Sequence, residues 1–226
     1  MIKNLYLGLL FILSITTTNS QKDTLKIFSE ISFLVLKIEK KVSFTLGYVN
    51  SRAAENNFSL ERYGLRLYYQ PFDAFNLSVS SEYEENPNKT QYVAVKNFKG
   101  SPRYITGNID QHTLSTSIRF NYSLNPNLSI QYYGPSFISR GTYTDFNYVN
   151  KPIAENLNER VTMFSNEHIS STDIGAIYLI DEDIDSVVDY EIENPDFSFG
   201  QFRSILVLRW EYIPGSEVFW FGRKVL

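Results

Sequence analysis

The most constraining feature of this sequence is an alternation of apolar and polar residues that recurs along much of the chain. In the segments 42–48, 63–69, 75–83 and 114–124, large apolar residues take most of the alternate positions. Successive side chains of a β-strand point to opposite faces, so a period of two predicts strands. The 16 tyrosines and 17 phenylalanines agree with this, because aromatic residues favour strands. The predicted fold class is all-β.

Turn residues divide the alternating segments into hairpins with connections of very unequal length. Tight turns are predicted at 71–73, 125–127 and 214–216, with a further turn at Glu39 and Lys40. Residues 85–111 and 145–196 lack a clear period and are predicted to be long loops. The pattern predicts an antiparallel meander of about eight strands.

Residues 1–20 have the layout of a signal peptide. Lys3 precedes an apolar run from Leu5 to Ile15, and the small residues of 18–20 suit cleavage after Ser20. The apolar run is shorter than the roughly 20 residues that a membrane-spanning helix needs. We therefore expect export, cleavage and one β-domain over residues 21–226.

Composition excludes several classes of protein. The chain has no cysteine, which removes disulfide scaffolds, cysteine zinc sites and thiol nucleophiles. Its net charge is −4, from 25 acidic and 21 basic residues, and nucleic-acid-binding domains usually have a clustered basic excess instead. We expect no nucleic-acid partner.

Alternation alone does not distinguish a soluble β-sandwich from an outer-membrane β-barrel. The apolar face is buried in a sandwich, whereas in a membrane barrel it meets lipid and the polar face lines the lumen. Strands longer than about ten residues, aromatic residues near strand ends, and short turns opposite long loops favour the barrel. We expect a barrel in the cell outer membrane with lipid as its partner. A sandwich or a lipocalin-like fold is the alternative.

Strand direction predicts that the barrel is incomplete. If the tight turns face the periplasm, the strand after Pro214 runs outward and ends at Leu226. Bacterial barrels normally have an even number of strands and both chain ends in the periplasm. We therefore expect a barrel segment, with its closure by this chain alone left open.

Several strings resemble an exported Gram-negative family of the Bacteroidota type, known as domain of unknown function 5916. The strings are SPRYITGNIDQ (101–111), SIQYYGPSF (129–137), NPDFSF (194–199), VLRWEY (207–212) and PGS (214–216). Full-length members of that family resemble a family 9-like carbohydrate-binding module followed by a large β-barrel. The resemblance covers about Lys41 to Ser216, and it implies the C-terminal barrel region of a truncated relative. It also implies glycan as a partner class, through a module that this sequence lacks.

An acidic stretch at 181–189 has the spacing of a calcium loop. Its carboxylates occupy relative positions 1, 3, 5 and 9, where hard oxygen ligands converge on one ion. Ser186 replaces the glycine of such loops, and Ile192 replaces their bidentate glutamate. The alternative to calcium as a cofactor is a solvated acidic loop. The proposed ligands are Asp181, Asp183, Asp185 and Asp189.

Catalysis has little support. The two histidines are His112, at a predicted strand start, and His168, in a predicted long loop that also contains Ser165 and Asp173. A hydroxyl, a histidine and a carboxylate could assemble there, but serine and aspartate are common in any solvated loop. We expect no enzymatic activity. The predicted function is an outer-membrane barrel protein of unknown specific activity. The alternatives are a surface or periplasmic glycan-binding β-protein and, least favoured, an outer-membrane hydrolase.

Charged residues recur on the polar side of the predicted strands. In a narrow barrel such a set forms structural ion pairs, because an unpaired charge in a confined interior is costly. The alternative is a polar channel whose arginines favour anionic solutes. The predicted lumen set is Arg62, Arg66, Glu82, Glu84, Arg119, Arg203, Arg209 and Glu211.

Overall fold

The computed structural model describes residues 5–7, 11–17, 27–38, 41–53, 55–172 and 175–226. The fold is all-β, as the alternation predicts, and its sheets are antiparallel. Within the described ranges no helix is long and apolar enough to span a membrane. The elements are β1 (Leu5–Leu7), β2 (Phe11–Thr17), β3 (Ile27–Ile38), β4 (Val42–Ala53), β5 (Ser59–Phe72), β6 (Phe75–Glu85), β7 (Asn88–Phe98), β8 (Ser101–Asn125), β9 (Leu128–Val149), α1 (Leu157–Arg160), β10 (Val161–Met163), β11 (Ile169–Ser171), β12 (Ile177–Ile180), β13 (Tyr190–Glu193), β14 (Phe197–Ile213) and β15 (Ser216–Val225).

One large sheet contains most of the strands. Its order is β1-β3-β4-β5-β6-β8-β9-β14-β15, with β2 also paired to β3, β7 to β8 and β10 to β9. From β3 onward the long strands follow one another as an antiparallel meander, which the hairpin pattern predicts. Among the described residues β15 pairs with β14 and no pairing joins it to β3. The sheet is therefore open, and barrel closure stays a prediction.

Tight turns lie together at one end of this sheet. Two residues separate β5 from β6, β8 from β9 and β14 from β15. Gly215 has φ +80°, a left-handed conformation that glycine adopts without steric cost. Pro71, predicted to begin a turn, lies instead inside β5, where the register shifts between Tyr69 and Phe72. A shifted register tolerates proline because a ladder hydrogen bond is already missing there. The turn predicted at Glu39 and Lys40 lies outside the described residues.

The opposite end of the sheet bears a cap, which we define as residues 86–111 and 142–196. The two segments predicted to be long loops both contribute to it, and both contain strands. β7 and the first half of β8 form a hairpin, and β11, β12 and β13 form a separate three-stranded sheet. These strands were missed because several have only three or four residues, too few to show a period.

The buried core of the protein lies in the cap. Three isoleucines from distant segments are almost fully inaccessible to solvent, and aromatic rings pack around them. Phe146 and Tyr178, for example, have ring centroids 4.7 Å apart. The core residues are Ile105, Phe146, Phe164, Ile180, Tyr190 and Ile192.

The large sheet, by contrast, has an apolar face and a polar face without a covering layer. Side-chain alternation and the strand register assign each residue to one face. Leu65 is 38% exposed and Ile118 is 41% exposed, although both lie far from the strand ends. The apolar face includes Leu34, Leu46, Leu65, Leu67, Val79, Leu114, Ile118, Leu206 and Leu208. The polar face includes Arg62, Arg66, Ser80, Glu82, Ser115, Ser117, Arg119 and Asn121.

Part of the predicted signal peptide lies on the edge of the sheet. β1 and β2 pair with β3 on the side opposite β4, with Leu5 opposite Ile38 and Thr17 opposite Ile27. The predicted cleavage position after Ser20 lies outside the described residues. The signal peptide stays a prediction, and its cleavage would free the outer edge of β3.

Candidate functional site

A tyrosine belt, formed by Tyr48, Tyr63 and Tyr83, marks the cap end of the apolar face. The three residues are in register on β4, β5 and β6. Each hydroxyl bonds to a polar side chain two residues nearer the cap on its own strand. The bonds join Tyr48 to Asn50 (3.0 Å), Tyr63 to Glu61 (3.1 Å) and Tyr83 to Glu85 (3.0 Å). The rings thus lie on the apolar side of a boundary and the hydroxyls on its polar side.

Aromatic residues also collect at the tight-turn end of the sheet. Phe75 contacts Tyr69, Phe72 and Tyr122, with ring centroids 5.8 to 6.4 Å apart. Further pairs near this end are Phe120 with Tyr132 and Trp210 with Tyr212. The sequence analysis expects aromatic residues near strand ends, and these residues lie at such positions. The sequence analysis missed the tyrosine belt. Its signal in the sequence is a tyrosine with an Asn or Glu two residues away on the same strand.

The predicted lumen set lies on the polar face but does not form one network. Arg62 pairs with Glu84, with Nη2 and Oε2 2.6 Å apart, near the cap. At the other end Arg209 pairs with Glu217 and, at 3.9 Å, with Glu211. No carboxylate among the described residues lies within ion-pair distance of the remaining arginines of the set. These are Arg66, Arg119 and Arg203.

A groove of about 380 Å³ lies on the polar face between these two ion-paired ends. Its floor includes the hydroxyls of Ser80 and Ser117, which are 2.9 Å apart and hydrogen bonded. Tyr133 and Phe137 of β9 line it, with Gln201 and Arg203 of β14 and Glu82 of β6. The strands that position these side chains are neighbours only in the folded sheet.

The calcium hypothesis is met by three of its four carboxylates. Oxygen atoms of Asp181, Asp183 and Asp189 lie within 4.8 Å of one another, without Asp185. Backbone N–H groups and Lys99 already bond to these oxygens. The hydrogen bond to Asp183 raises the pKa of Lys99, which supplies positive charge at the cluster. Calcium would therefore have to compete with an ammonium group, and binding stays a prediction that calorimetry with calcium tests.

Two other positions of the predicted calcium loop differ from a calcium-binding loop. Ser186 has φ +70°, so the sharp turn forms without the expected glycine. Ile192, at the position of the bidentate glutamate, is buried in the cap core and offers no ligand atom.

The histidines occupy different surroundings. His168 Nδ1 accepts a hydrogen bond from the backbone N–H of Ser165 and lies 2.7 Å from its Oγ. No hydrogen bond from this ring to a described carboxylate orients it, and Asp173 lies outside the described residues. His112 lies 2.8 Å from the Tyr83 hydroxyl and 3.1 Å from Asp110. The first arrangement is a local turn contact, and the second belongs to the polar boundary above the tyrosine belt.

A half-buried polar cluster in the cap was not foreseen from the sequence. Arg103 Nε donates to Glu182 (2.7 Å), and the Tyr190 hydroxyl donates to the same carboxylate (2.9 Å). The Arg103 guanidinium also lies 5.0 Å from the ring of Phe98 and 4.9 Å from that of Tyr148. These contacts join the small sheet to the β7–β8 hairpin, and no short motif connects their distant segments.

Comparison with known proteins gives no match, whether with family models, curated proteins or solved structures. The family resemblance of the sequence strings therefore stays a prediction.

Proposed function

We propose that this protein is an exported outer-membrane β-barrel protein whose apolar face contacts lipid and whose polar face lines the interior. The uncovered apolar face is the observation that carries this proposal. Leu65, Leu114 and Ile118 are each between 38% and 44% exposed, whereas the cap isoleucines are buried. A soluble sheet covers such a face with a second layer, and lipid is the alternative cover.

The spacing of the aromatic residues supports a membrane of ordinary thickness. Tyr83 of the tyrosine belt follows Phe75, in the aromatic group at the tight-turn end, by eight positions on β6. At about 3.4 Å per residue this is roughly 27 Å along the strand. A strand tilt of about 40° reduces the height to about 21 Å, close to the roughly 25 Å apolar band of outer-membrane barrels.

The tyrosine belt supports an orientation in which the cap lies outside the membrane. Rings of Tyr and Trp collect at membrane interfaces because their bodies are apolar and their hydrogen-bonding groups need polar partners. Here the hydroxyl partners are Asn50, Glu61 and Glu85, all on the cap side. The cap would then lie outside the lipid, where its buried core and solvated acidic loop are both stable.

Gel mobility tests the proposal directly. Residues 21–226 are refolded into detergent micelles and compared on a gel with and without boiling. A closed barrel resists unfolding in the unboiled sample and migrates differently from the boiled one. Identical migration, with a monomer that stays soluble without detergent, would reject the barrel and favour a soluble glycan-binding β-protein.

A further inference from the structure

The groove on the polar face differs from the two ends of that face because its charged residues have no ion-pair partner among the described residues. Arg66 is in register with Ser80, Ser80 with Ser117, and Arg203 follows two strands further along the same row. Arg119 lies one row nearer the tight turns, with its guanidinium 4.7 Å from the ring of Tyr133. The Arg203 guanidinium thus lines a floor of serine hydroxyls, and Arg119 lies at its margin against the lining residue Tyr133. Arg66 lies in the same row, on the strand next to Ser80.

The groove also contains one carboxylate. Glu82 lines the groove one row nearer the cap, and the structure gives it no hydrogen bond or ion pair with a described residue. Arg62 and Arg209, the other arginines of the polar face set, already have carboxylate partners. The groove and its margin therefore hold Arg203, Arg119 and Glu82, none of which has an ion-pair partner among the described residues.

The physical chemistry of these groups defines the ligand. A guanidinium binds carboxylate or phosphate oxygens through a planar fork of N–H donors. Serine hydroxyls and the Glu82 carboxylate accept hydrogen bonds from hydroxyl groups. The volume of about 380 Å³ lies within the range of about 300–1,000 Å³ for small-molecule sites.

We propose that this groove binds a small hydroxylated organic anion. Its anionic oxygens bond to Arg119 and Arg203, and its hydroxyl groups face Ser80, Ser117 and Glu82. Tyr133 and Phe137 contact its carbon skeleton. This goes beyond the proposed function, on which it rests only for the solvent-filled interior that the polar face would line.

Gluconate and sorbitol are matched probes, because sorbitol has a hydroxymethyl group where gluconate has its carboxylate. Calorimetry on the refolded protein should detect gluconate with an affinity at least tenfold above that of sorbitol. Glucose 6-phosphate, compared with glucose, shows whether a phosphate serves as well as a carboxylate. Added salt should weaken gluconate binding, since screening reduces the attraction between charges. Equal affinities for gluconate and sorbitol, or no heat from either, overturn the proposal.

Arginine variants locate the site. Arg203→Gln and Arg119→Gln should each lower gluconate affinity at least tenfold while leaving the circular dichroism spectrum unchanged. Lys37→Gln is the control, since it removes one positive charge from the polar face of β3, four strands from Arg119. If Arg203→Gln binds as tightly as the parent, the groove is not the site.

The gel-shift experiment separates this proposal from the proposed function. A sample that shifts on boiling but does not bind gluconate rejects the groove alone. A sample that binds gluconate without a shift rejects the membrane barrel and retains the groove.

Discussion

At the scale of single residues, Tyr190 shows how the cap combines burial with charge. Its ring belongs to the cap core, and its hydroxyl donates a 2.9 Å hydrogen bond to Glu182. Both burial and the neighbouring carboxylate disfavour the tyrosinate, so the pKa of Tyr190 is raised far above its ordinary value of 10.0. The folded cap therefore requires the protonated form of this side chain.

Tyr190 should make the stability of the cap depend on pH. The unfolded chain loses the tyrosine proton near pH 10, whereas the folded chain retains it to higher pH. Its contribution is thus complete below pH 10 and falls as pH rises above 10. Thermal unfolding, followed by near-ultraviolet circular dichroism from pH 8 to 11, should show this loss.

Tyr190→Phe isolates the effect. The variant should lose about 2 kcal/mol of cap stability at pH 8, because the hydrogen bond to a charged group disappears. The difference from the parent should narrow above pH 10. Tyr92→Phe is the control, since Tyr92 is 59% exposed on β7. A gap between parent and Tyr190→Phe that stays constant to pH 11 would contradict the assignment.

At the scale of elements, β8 has two halves with different surroundings. Its 25 residues exceed the roughly 9–11 that a tilted membrane strand needs. Ile105 and Ile109, in the first half, are buried in the cap, whereas Leu114 and Ile118 lie on the uncovered apolar face. The second half alternates regularly and was predicted. The first half is a strand and not the loop that the sequence predicts, because its burial depends on β9 and on the small sheet.

The two faces of β8 should respond differently to the same charge. Ile118→Arg places a guanidinium on the apolar face and should cost about 2–4 kcal/mol in lipid if this position lies near the bilayer centre. Ser115→Arg places the same group on the polar face, opposite Glu82, and should change stability little. Urea unfolding of each variant from lipid vesicles measures the change in its free energy of unfolding. Similar losses for the two variants would contradict the assignment of faces.

At the scale of the whole molecule, the two edge strands have apolar residues on both faces. Ile31 and Val35 of β3, and Phe219 and Phe221 of β15, lie on the otherwise polar face. Such strands are typical of positions covered on both sides. β3 runs toward the tight turns and β15 runs away from them, so direct pairing would be antiparallel, like every other pair of this sheet.

We expect β3 and β15 to pair directly and close the sheet into a barrel. Engineered cysteines test this pairing, since the chain has no native cysteine. Val35→Cys is combined in turn with cysteine at Phe219, Phe221 or Arg223, in the chain without residues 1–20. At least one combination should form a disulfide within a single chain, because opposite Cα atoms of paired antiparallel strands lie about 4.5–5.5 Å apart. A disulfide spans Cα separations of about 4.4–6.8 Å. Non-reducing gels measure the product.

Two controls accompany this experiment. Ser78→Cys, on the central strand β6, should form no disulfide with the β15 cysteines. In the chain that retains residues 1–20, the closing disulfide should be suppressed, because β1 and β2 occupy the outer edge of β3. Disulfides that form only between chains would show that the edges join two copies instead.

The sequence by itself determined the strands of the meander in the large sheet, apart from the first half of β8, together with their antiparallel order and the separation of apolar from polar side chains. It did not predict the strands β1, β2, β7 and β10 that also belong to this sheet. These properties follow from a period of two and from turn residues, which are local. Only the tertiary structure decided the cap core, the Arg103–Glu182–Tyr190 cluster and the composition of the groove. Their residues come from segments far apart in the chain, and only strand register and packing bring them together. The charges on the polar face illustrate both levels: alternation placed them on one side, and register decided which arginines have a carboxylate partner.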